Sequence, residues 1–335
     1  MATDATALFL TSDEIADLAD PADYVDPVRE GYRERGEGAP AEPRTTLFND
    51  DPTGMLTGYL AILPETGAMG GYTYAAGFGG RDAHFSLPIF DAESGDPLAL
   101  LDGASMNPLK TGAAGAVGVD ALARRDATDL AVIGSGTQAR GQVRAAATVR
   151  DFDRIEVYSP TQDHRQSFAA EMNENLDATV AAVASSAAAV EGADVIITAT
   201  NASEPVFDGD VIEPGAHVTA MGQYHSERRE LDTTTIERAT YVPDLRARVT
   251  RDAGSFIHAM DEGVVDEDDV HAELGEVVAG KESGRTSPEE VTVFDSGGTA
   301  IETVAAGKML YDRAREAGVG EEIEFSPASE AMDGR

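Results

Sequence analysis

The chain has 335 residues and 42% hydrophobic content, which suits a globular protein of two domains better than one simple core. Its formal net charge of −36 excludes nucleic acid and an anionic membrane as partners, since both would repel it. There is no cysteine, which removes disulfides, thiolate nucleophiles and cysteine metal sites from consideration.

Acidic residues lie all along the chain between apolar segments, so the charge reads as a solvated shell and not as a disordered acidic tail. Lysine occurs only at Lys110, Lys281 and Lys308. Such a surface points to a cytoplasm of high salt, where screening over roughly 3 Å at 1 M relieves self-repulsion; the chain is read as halophilic. No apolar stretch approaches the roughly 20 residues of a membrane span. MATDATALFL at the start lacks the basic and long apolar parts of a signal peptide. The expected location is the cytoplasm.

In chain order, ALFL is a short strand, and Thr11 caps a helical stretch that Pro21 and Pro27 should break in two. Arg44 sits in a Pro-Arg-Thr-Thr segment before the strand-like MLTGYLAIL. A glycine-rich stretch with interleaved aromatics follows, then a hairpin: strand through Phe90, turn at Asp91 to Asp96, strand at LALLDG. Asn107 is the expected cap, and Pro108 the first-turn residue, of a helix crowded with glycine and alanine. Glycine is a poor helix former, so close packing on a neighbour is the expected compensation. This helix is taken as the bridge between domains. From Asp129 on, strands and helices alternate as in a parallel α/β sheet. Residues 251–285 read as helical, and an amphipathic helix follows the last strand, VTVFDSGG. The tail after Phe325 is polar and reads as loose.

Within that alternation, DLAVIGSGTQARGQVRAAA stands out. A β-branched apolar run, consistent with a strand buried on both faces, meets Gly134 and Gly136, and a helix-compatible segment follows. The first glycine permits backbone angles that a side chain forbids, and the second lets a pyrophosphate approach the main chain. Helix N–H groups from Thr137 and Gln138 onward would face the phosphates, and Ala139 allows close helix-strand packing, giving the GxGxxA form. An ordinary strand-turn-helix corner is the plainer alternative. No metal-binding pattern appears: the six histidines are scattered, and the acids at Asp261 to Asp269 lack calcium-loop spacing.

Taken together, Pro43-Arg44, FDAESGDPLALLDG, LKTGAAGAVGVDALAR, LAVIGSGTQARGQ, DVIITATNASEPVF, the RREL of 228–231, AELGEVVAGKESGR and TVFDSGGTAIE resemble the ornithine cyclodeaminase/mu-crystallin family in order and spacing. The resemblance implies an α/β protein: a Rossmann NAD(P)-binding domain over 125–299, and a β-rich α+β substrate and dimerisation domain from 1–124 with 300–335, in a homodimer. The implied chemistry is hydride transfer to or from the α-carbon of a small amino acid or its imine, as in alanine dehydrogenase-like and ketimine reductase-like members. Redox-neutral ornithine cyclodeamination, or non-catalytic ligand binding as in the crystallin branch, are the alternatives.

Residue by residue, Arg44 aligns with a carboxylate-binding arginine, a role the guanidinium fork suits. Lys110 stands where most members carry a second such arginine. Thr73 replaces the family's substrate-side lysine, with Tyr72 and Tyr74 flanking. Tyr224 replaces its catalytic aspartate. A phenol of pKa about 10 is a poor base at neutral pH but can donate a proton, so the exchange argues against cyclodeamination; His225 is an alternative acid. The bland reading of Tyr224 and His225 is that they only wall the cofactor site. Gly134, Gly136, Thr137, Gln138 and Ala139 should hold the pyrophosphate. Ser159 and Thr161 should meet the ribose, and Thr200, Asn201, Met221, Gly222 and Arg228 should line the cofactor cleft. Ser296 and Gly298 should stand near the nicotinamide. Since Tyr158 to Thr161 contain no carboxylate to repel a 2′-phosphate, and Arg165 or Arg140 could meet one, the cofactor is NAD or NADP with NADP favoured.

Overall fold

The computed structural model describes residues 5–80 and 82–327. In chain order it contains β1 (Ala5–Leu10), α1 (Ser12–Leu18), α2 (Val25–Glu37), β2 (Thr45–Asp50), β3 (Thr53–Gly58), β4 (Ala61–Leu63), β5 (Ala68–Gly70), β6 (Thr73–Ala76), β7 (His84–Asp91), β8 (Pro97–Asp102) and α3 (Met106–Leu122). Next come β9 (Asp129–Ile133), α4 (Thr137–Ala146), β10 (Arg154–Tyr158), α5 (Gln162–Asn175), β11 (Thr179–Ala182), α6 (Ser186–Val190), β12 (Val195–Thr198) and β13 (His217–Met221). The remainder is α7 (Thr233–Arg238), β14 (Ala239–Pro243), α8 (Gly254–Asp261), α9 (Leu274–Val278), β15 (Val291–Ser296), α10 (Ala300–Ala317) and β16 (Glu321–Phe325).

Contacts group residues 108–298 into one compact unit, and the segments before and after into another. The first unit is a nine-stranded sheet of order β16-β1-β8-β7-β6-β3-β2, with β5 joined to β7 and β4 to β5. All its pairs are antiparallel except β1 with β8. Helix α10 opens on a Thr299–Glu302 capping box and ends at left-handed Gly318. It lies close against α2, because a Cβ at Gly31 would meet Ala305 Cβ at 3.1 Å, and close against β7, because one at Gly307 would meet Leu87 at 2.8 Å.

Pro27 does not break α2, which runs through it. It occupies the first turn, where the N–H it lacks has no partner to lose. The break falls earlier, where a 3-10 turn spans Pro21–Tyr24. The hairpin turn forms as expected, with Gly95 at φ 80°. MLTGYLAIL splits into the end of β3 and β4. The tail after Phe325 falls, from residue 328 on, outside the described residues.

The second unit is a seven-stranded sheet, wholly parallel, of order β11-β10-β9-β12-β13-β15-β14. Apolar layers cover both faces. One includes Leu130, Val132, Val143, Ile155 and Phe168; the other includes Ile133, Ile196, Val218, Ile236 and Phe256. Helix α3 uses its glycines as anticipated: a Cβ at Gly112 would overlap the carbonyl of Gly141, and one at Gly118 would overlap the ring of Phe294. That packing groups 108–122 with the parallel sheet, so the division falls in the first turn of α3, at 107/108, and not after the helix. The stretch 251–285 carries only the short helices α8 and α9 and one 3-10 turn.

Candidate active site

Strand β9 ends at Ile133, and Gly134 turns the chain at φ 117°, its N–H bonded to the Tyr158 carbonyl at 2.8 Å. A Cβ there would overlap the carbonyl oxygen of Ala199, at the end of β12. Strand order reverses between β9 and β12, where open α/β sheets form a crevice beyond their strand ends. Gly136 is the N-cap of α4, extended at φ −82° and ψ −173°, with no side chain capping the helix. A Cβ added to it would meet nothing within 4 Å. The first-turn N–H groups therefore face open space at the positive end of the helix, and a pyrophosphate fits that cradle. Ala139 is fully buried in the layer beneath. Thr137 is exposed and Gln138 half-buried beside it.

At the end of β10, the buried Ser159 hydroxyl bonds that of Ser135 at 2.8 Å, and Thr161 is the N-cap of α5. Arg165 lies over the Tyr158 ring, 5.6 Å from its centroid, and donates to the Ser159 carbonyl at 2.8 Å. Arg140 donates to the Ser135 carbonyl and pairs with Glu171 at 2.7 Å. Arg140 thus braces the turn, while Arg165 is the cation beside the strand end.

The loops after β12, β13 and β15 complete this edge of the sheet. Thr200 donates its N–H to Glu230 at 2.7 Å, and the Thr198 hydroxyl donates to the same carboxylate at 2.9 Å. Burial pushes the Glu230 carboxyl up to about 7 against the pull of those bonds. Asn201 is exposed. Met221 is buried and ends β13; Gly222 follows at φ 95° and donates to the Ser296 carbonyl at 2.8 Å. The Gln223 side chain donates to the Ala202 carbonyl at 2.9 Å, tying two of these loops together. Tyr224 and His225 are half-buried just beyond, and Arg228 is exposed. His225 Nδ1 accepts the Glu227 N–H at 3.2 Å. Ser296 Oγ and the Gly298 N–H both donate to Asp244, at 3.0 and 3.2 Å. The expected cofactor residues from Gly134 to Gly298 therefore share the C-terminal edge of one sheet. Lys110 is 2% exposed, on α3 of the same unit.

Arg44 and Thr73 belong to the other unit. Arg44, 8% exposed, donates through Nη1 to the Tyr74 hydroxyl at 2.8 Å and lies 5.1 Å from the Tyr59 ring centroid. Tyr59, Tyr72, Tyr74 and Phe85 form a continuous ring cluster. Because side chains alternate along a strand, exposed Thr73 stands on the opposite face of β6 from buried Tyr74. Sequence reasoning missed Tyr59 as a partner of Arg44, and missed Glu230 and Arg248 altogether. The signal for Glu230 was its place in RREL, and that for Arg248 was an arginine with aspartates four residues to either side.

The sequence model described as the ornithine cyclodeaminase/mu-crystallin family matches residues 6–318. A Δ1-pyrroline-2-carboxylate reductase of Bacillus cereus is 37% identical over 71% of this chain and 73% of its own length. Among solved structures, Δ1-pyrroline-2-carboxylate reductase of Thermococcus litoralis, in complex with NADH and L-proline, superposes with a TM-score of 0.89 at 33% identity, covering 94% of this chain and 100% of that one. An archaeal alanine dehydrogenase dimer with bound NAD has a TM-score of 0.89 at 30% identity, covering 96% and 99%.

Proposed function

Because the chain belongs to the ornithine cyclodeaminase/mu-crystallin family, we propose that it is an NAD(P)-dependent oxidoreductase that exchanges hydride at the α-carbon of a small amino acid or its imine, a cyclic imino acid such as Δ1-pyrroline-2-carboxylate being the favoured substrate. The observation that carries the reading is the open cradle at Gly136 on an uncapped helix, at the switch point of the parallel sheet. When bound, the nicotinamide supplies or takes the hydride. The resemblance assigns Arg44 and Lys110 to the substrate carboxylate. Supporting Arg44 is its fixed guanidinium, held by Tyr74 and Tyr59, since a pre-oriented fork loses little freedom on binding a carboxylate. Reduction of the carbon–nitrogen double bond leaves its electron pair on nitrogen. Tyr224, or His225 when protonated, is assigned the proton delivered there. A phenol in place of a carboxylate base favours this net reduction over cyclodeamination.

Arg165 at the end of β10, with no acid from Tyr158 to Thr161, supports NADPH over NADH. Leu47 and Phe48 are adjacent on β2, yet 63% and 71% exposed, with Leu56 and Leu60 also uncovered. A strand apolar on both faces calls for a cover, and a second copy of the chain is the proposed one, in the cytoplasm of a high-salt cell. No helix among the described residues is long and apolar enough to cross a membrane. The test is oxidation of NADH and NADPH in molar salt with Δ1-pyrroline-2-carboxylate, with pyruvate plus ammonia, and with ornithine under catalytic NAD. Turnover of the cyclic imine is expected. Proline and ammonia from ornithine without net NADH would establish the cyclodeaminase instead, and tight cofactor binding without any turnover would establish a ligand-binding protein.

A further inference from the structure

Beneath the loops at the edge of the parallel sheet lies a buried cation with no assigned part in the chemistry. Arg248 is 1% exposed, in a 3-10 turn after β14. Its Nε donates to Asp252 at 2.7 Å. Nη1 donates to Asp244 at 2.8 Å and reaches Asp295 at 3.4 Å. Nη2 donates to the main-chain carbonyl of Gln223 at 2.9 Å.

Neutralising one guanidinium does not require three carboxylates, and two of them have second oxygens engaged elsewhere. Asp244 Oδ2 accepts Ser296 Oγ and the Gly298 N–H, while Asp295 Oδ2 accepts the Tyr241 hydroxyl at 2.6 Å. Gly297, between Ser296 and Gly298, lies so near the guanidinium that a Cβ on it would overlap the group. One side chain thus fastens the residue before Tyr224 on one loop and the 296–298 turn on the next. Gln223 passes the constraint on, through its own side chain, to Ala202 and the loop that carries Thr200 and Asn201.

We infer that Arg248 is a positioning residue for hydride transfer: through the Gln223 carbonyl and Asp244 it holds the loops after β13 and β15 where the nicotinamide half of the dinucleotide must lie, and it leaves the phosphate cradle at Gly136 untouched. This rests on the dinucleotide reading above. A rigid planar fork is needed, because the four partners lie in different directions and an ammonium cannot meet them all at once.

The experiment compares binding of NADH and NADPH with binding of ADP-ribose and its 2′-phosphate, which lack the nicotinamide, in R248K, D244N and D252N, by calorimetry in molar salt. D244N keeps the shape of the side chain but turns one acceptor into a donor facing the Gly298 N–H. It decides the matter if R248K fails to fold. Asp252 meets only Nε, so D252N serves as the control. In R248K and D244N the dissociation constant of the dinucleotide is expected to rise about tenfold, as for a lost charge-assisted hydrogen bond, with that of ADP-ribose changed by less than about twofold. Turnover at saturation should fall about a hundredfold, as for a misplacement near 1 Å. D252N should lower only the thermal midpoint. Equal loss of ADP-ribose and dinucleotide affinity, or D252N behaving like the other two, would reduce Arg248 to a structural ion cluster and overturn the inference. Variants that bind and turn over like a competent wild type would overturn it alone, whereas a wild type that binds neither ligand overturns the dinucleotide reading as well.

Discussion

Replacing Gly136 by alanine separates the cofactor cradle from the fold that carries it. At φ −82° and ψ −173° the backbone is in a region any residue adopts, and the new methyl would meet nothing within 4 Å. Alanine is a poorer N-cap than glycine, at a cost of a few tenths of a kcal/mol up to about 1, and its smaller unfolded-state entropy returns about 0.4–1. The two nearly cancel, so the ligand-free thermal midpoint should stay within about 2 °C of wild type. The methyl occupies the space through which a phosphate would approach the helix N–H groups. Loss of one such charge-assisted bond is worth about 1.5–3 kcal/mol, or a rise of roughly ten- to a hundredfold in the NAD(P)H dissociation constant. Gly134→Ala is the contrast. At φ 117°, with the Ala199 carbonyl in the way, it should lower stability by about 2–4 kcal/mol before any ligand is added. Calorimetry and thermal melts in molar salt measure both. A G136A protein that binds NADH and NADPH like wild type would refute the cradle.

Three further outcomes are expected. Arg44→Lys keeps the charge but loses the fork, the Tyr74 bond and the stacking on Tyr59; steady-state kinetics should give a KM for the carboxylate substrate raised about tenfold or more, with a smaller change in kcat, and an unchanged KM would remove Arg44 from substrate binding. Glu230 is raised to about 7, so between 4.5 and 7 the unfolded chain has released a proton that the folded one keeps, and stability falls as pH rises, by up to about 1.4 kcal/mol per unit. His217, buried and held neutral down to about 3, acts oppositely: from about 6.5 down toward 3 the unfolded chain binds a proton the folded one refuses, and stability falls with acid. The two slopes oppose one another between about 4.5 and 6.5, so E230Q should lose stability on acidification there more steeply than wild type in denaturant titrations, and parallel curves would show that Glu230 does not titrate in that range. With a net charge of −36, dilution from molar salt to about 50 mM lengthens the screening distance severalfold, and circular dichroism should record unfolding or subunit loss; a fully active protein at low salt would refute the halophilic reading.

The parts of the fold legible in the sequence are those whose signal is local. β9, Gly134, Gly136 and α4 are adjacent in the chain, and each residue type has one backbone reason to be there. The glycines of α3 announced a close neighbour without naming it, because the partner, Gly141, is about thirty residues away. Pairings made at long range left no mark. β16, EEIEF, carries no apolar run to mark it as a strand, yet it pairs with β1 from the other end of the chain. β2 gives no strand signal because TTLFND lacks the alternation of a strand with one buried face, and its exposed leucine and phenylalanine explain why.

At the site the same distinction decides what could be read. The pyrophosphate turn is one continuous segment, whereas the Arg248 cluster draws on residues 223, 241, 244, 252, 295 and 296, which meet only after β13, β14 and β15 are laid side by side. For the first unit, the family resemblance implies a position, Thr73, but the pleat supplies the face. Tyr74, one residue on, is the hydroxyl that meets Arg44, and Thr73 points the other way. A tyrosine beside the lost lysine therefore does not stand in for it. Its hydroxyl accepts from Arg44 and so holds that cation in place, whereas the lysine that the resemblance implies for position 73 has no replacement on that face from Tyr74. The preference for a ring imine over ornithine therefore rests on the proposed proton donor, Tyr224, and not on position 73, since removing a cation there does not disfavour a substrate with a second, protonated amine.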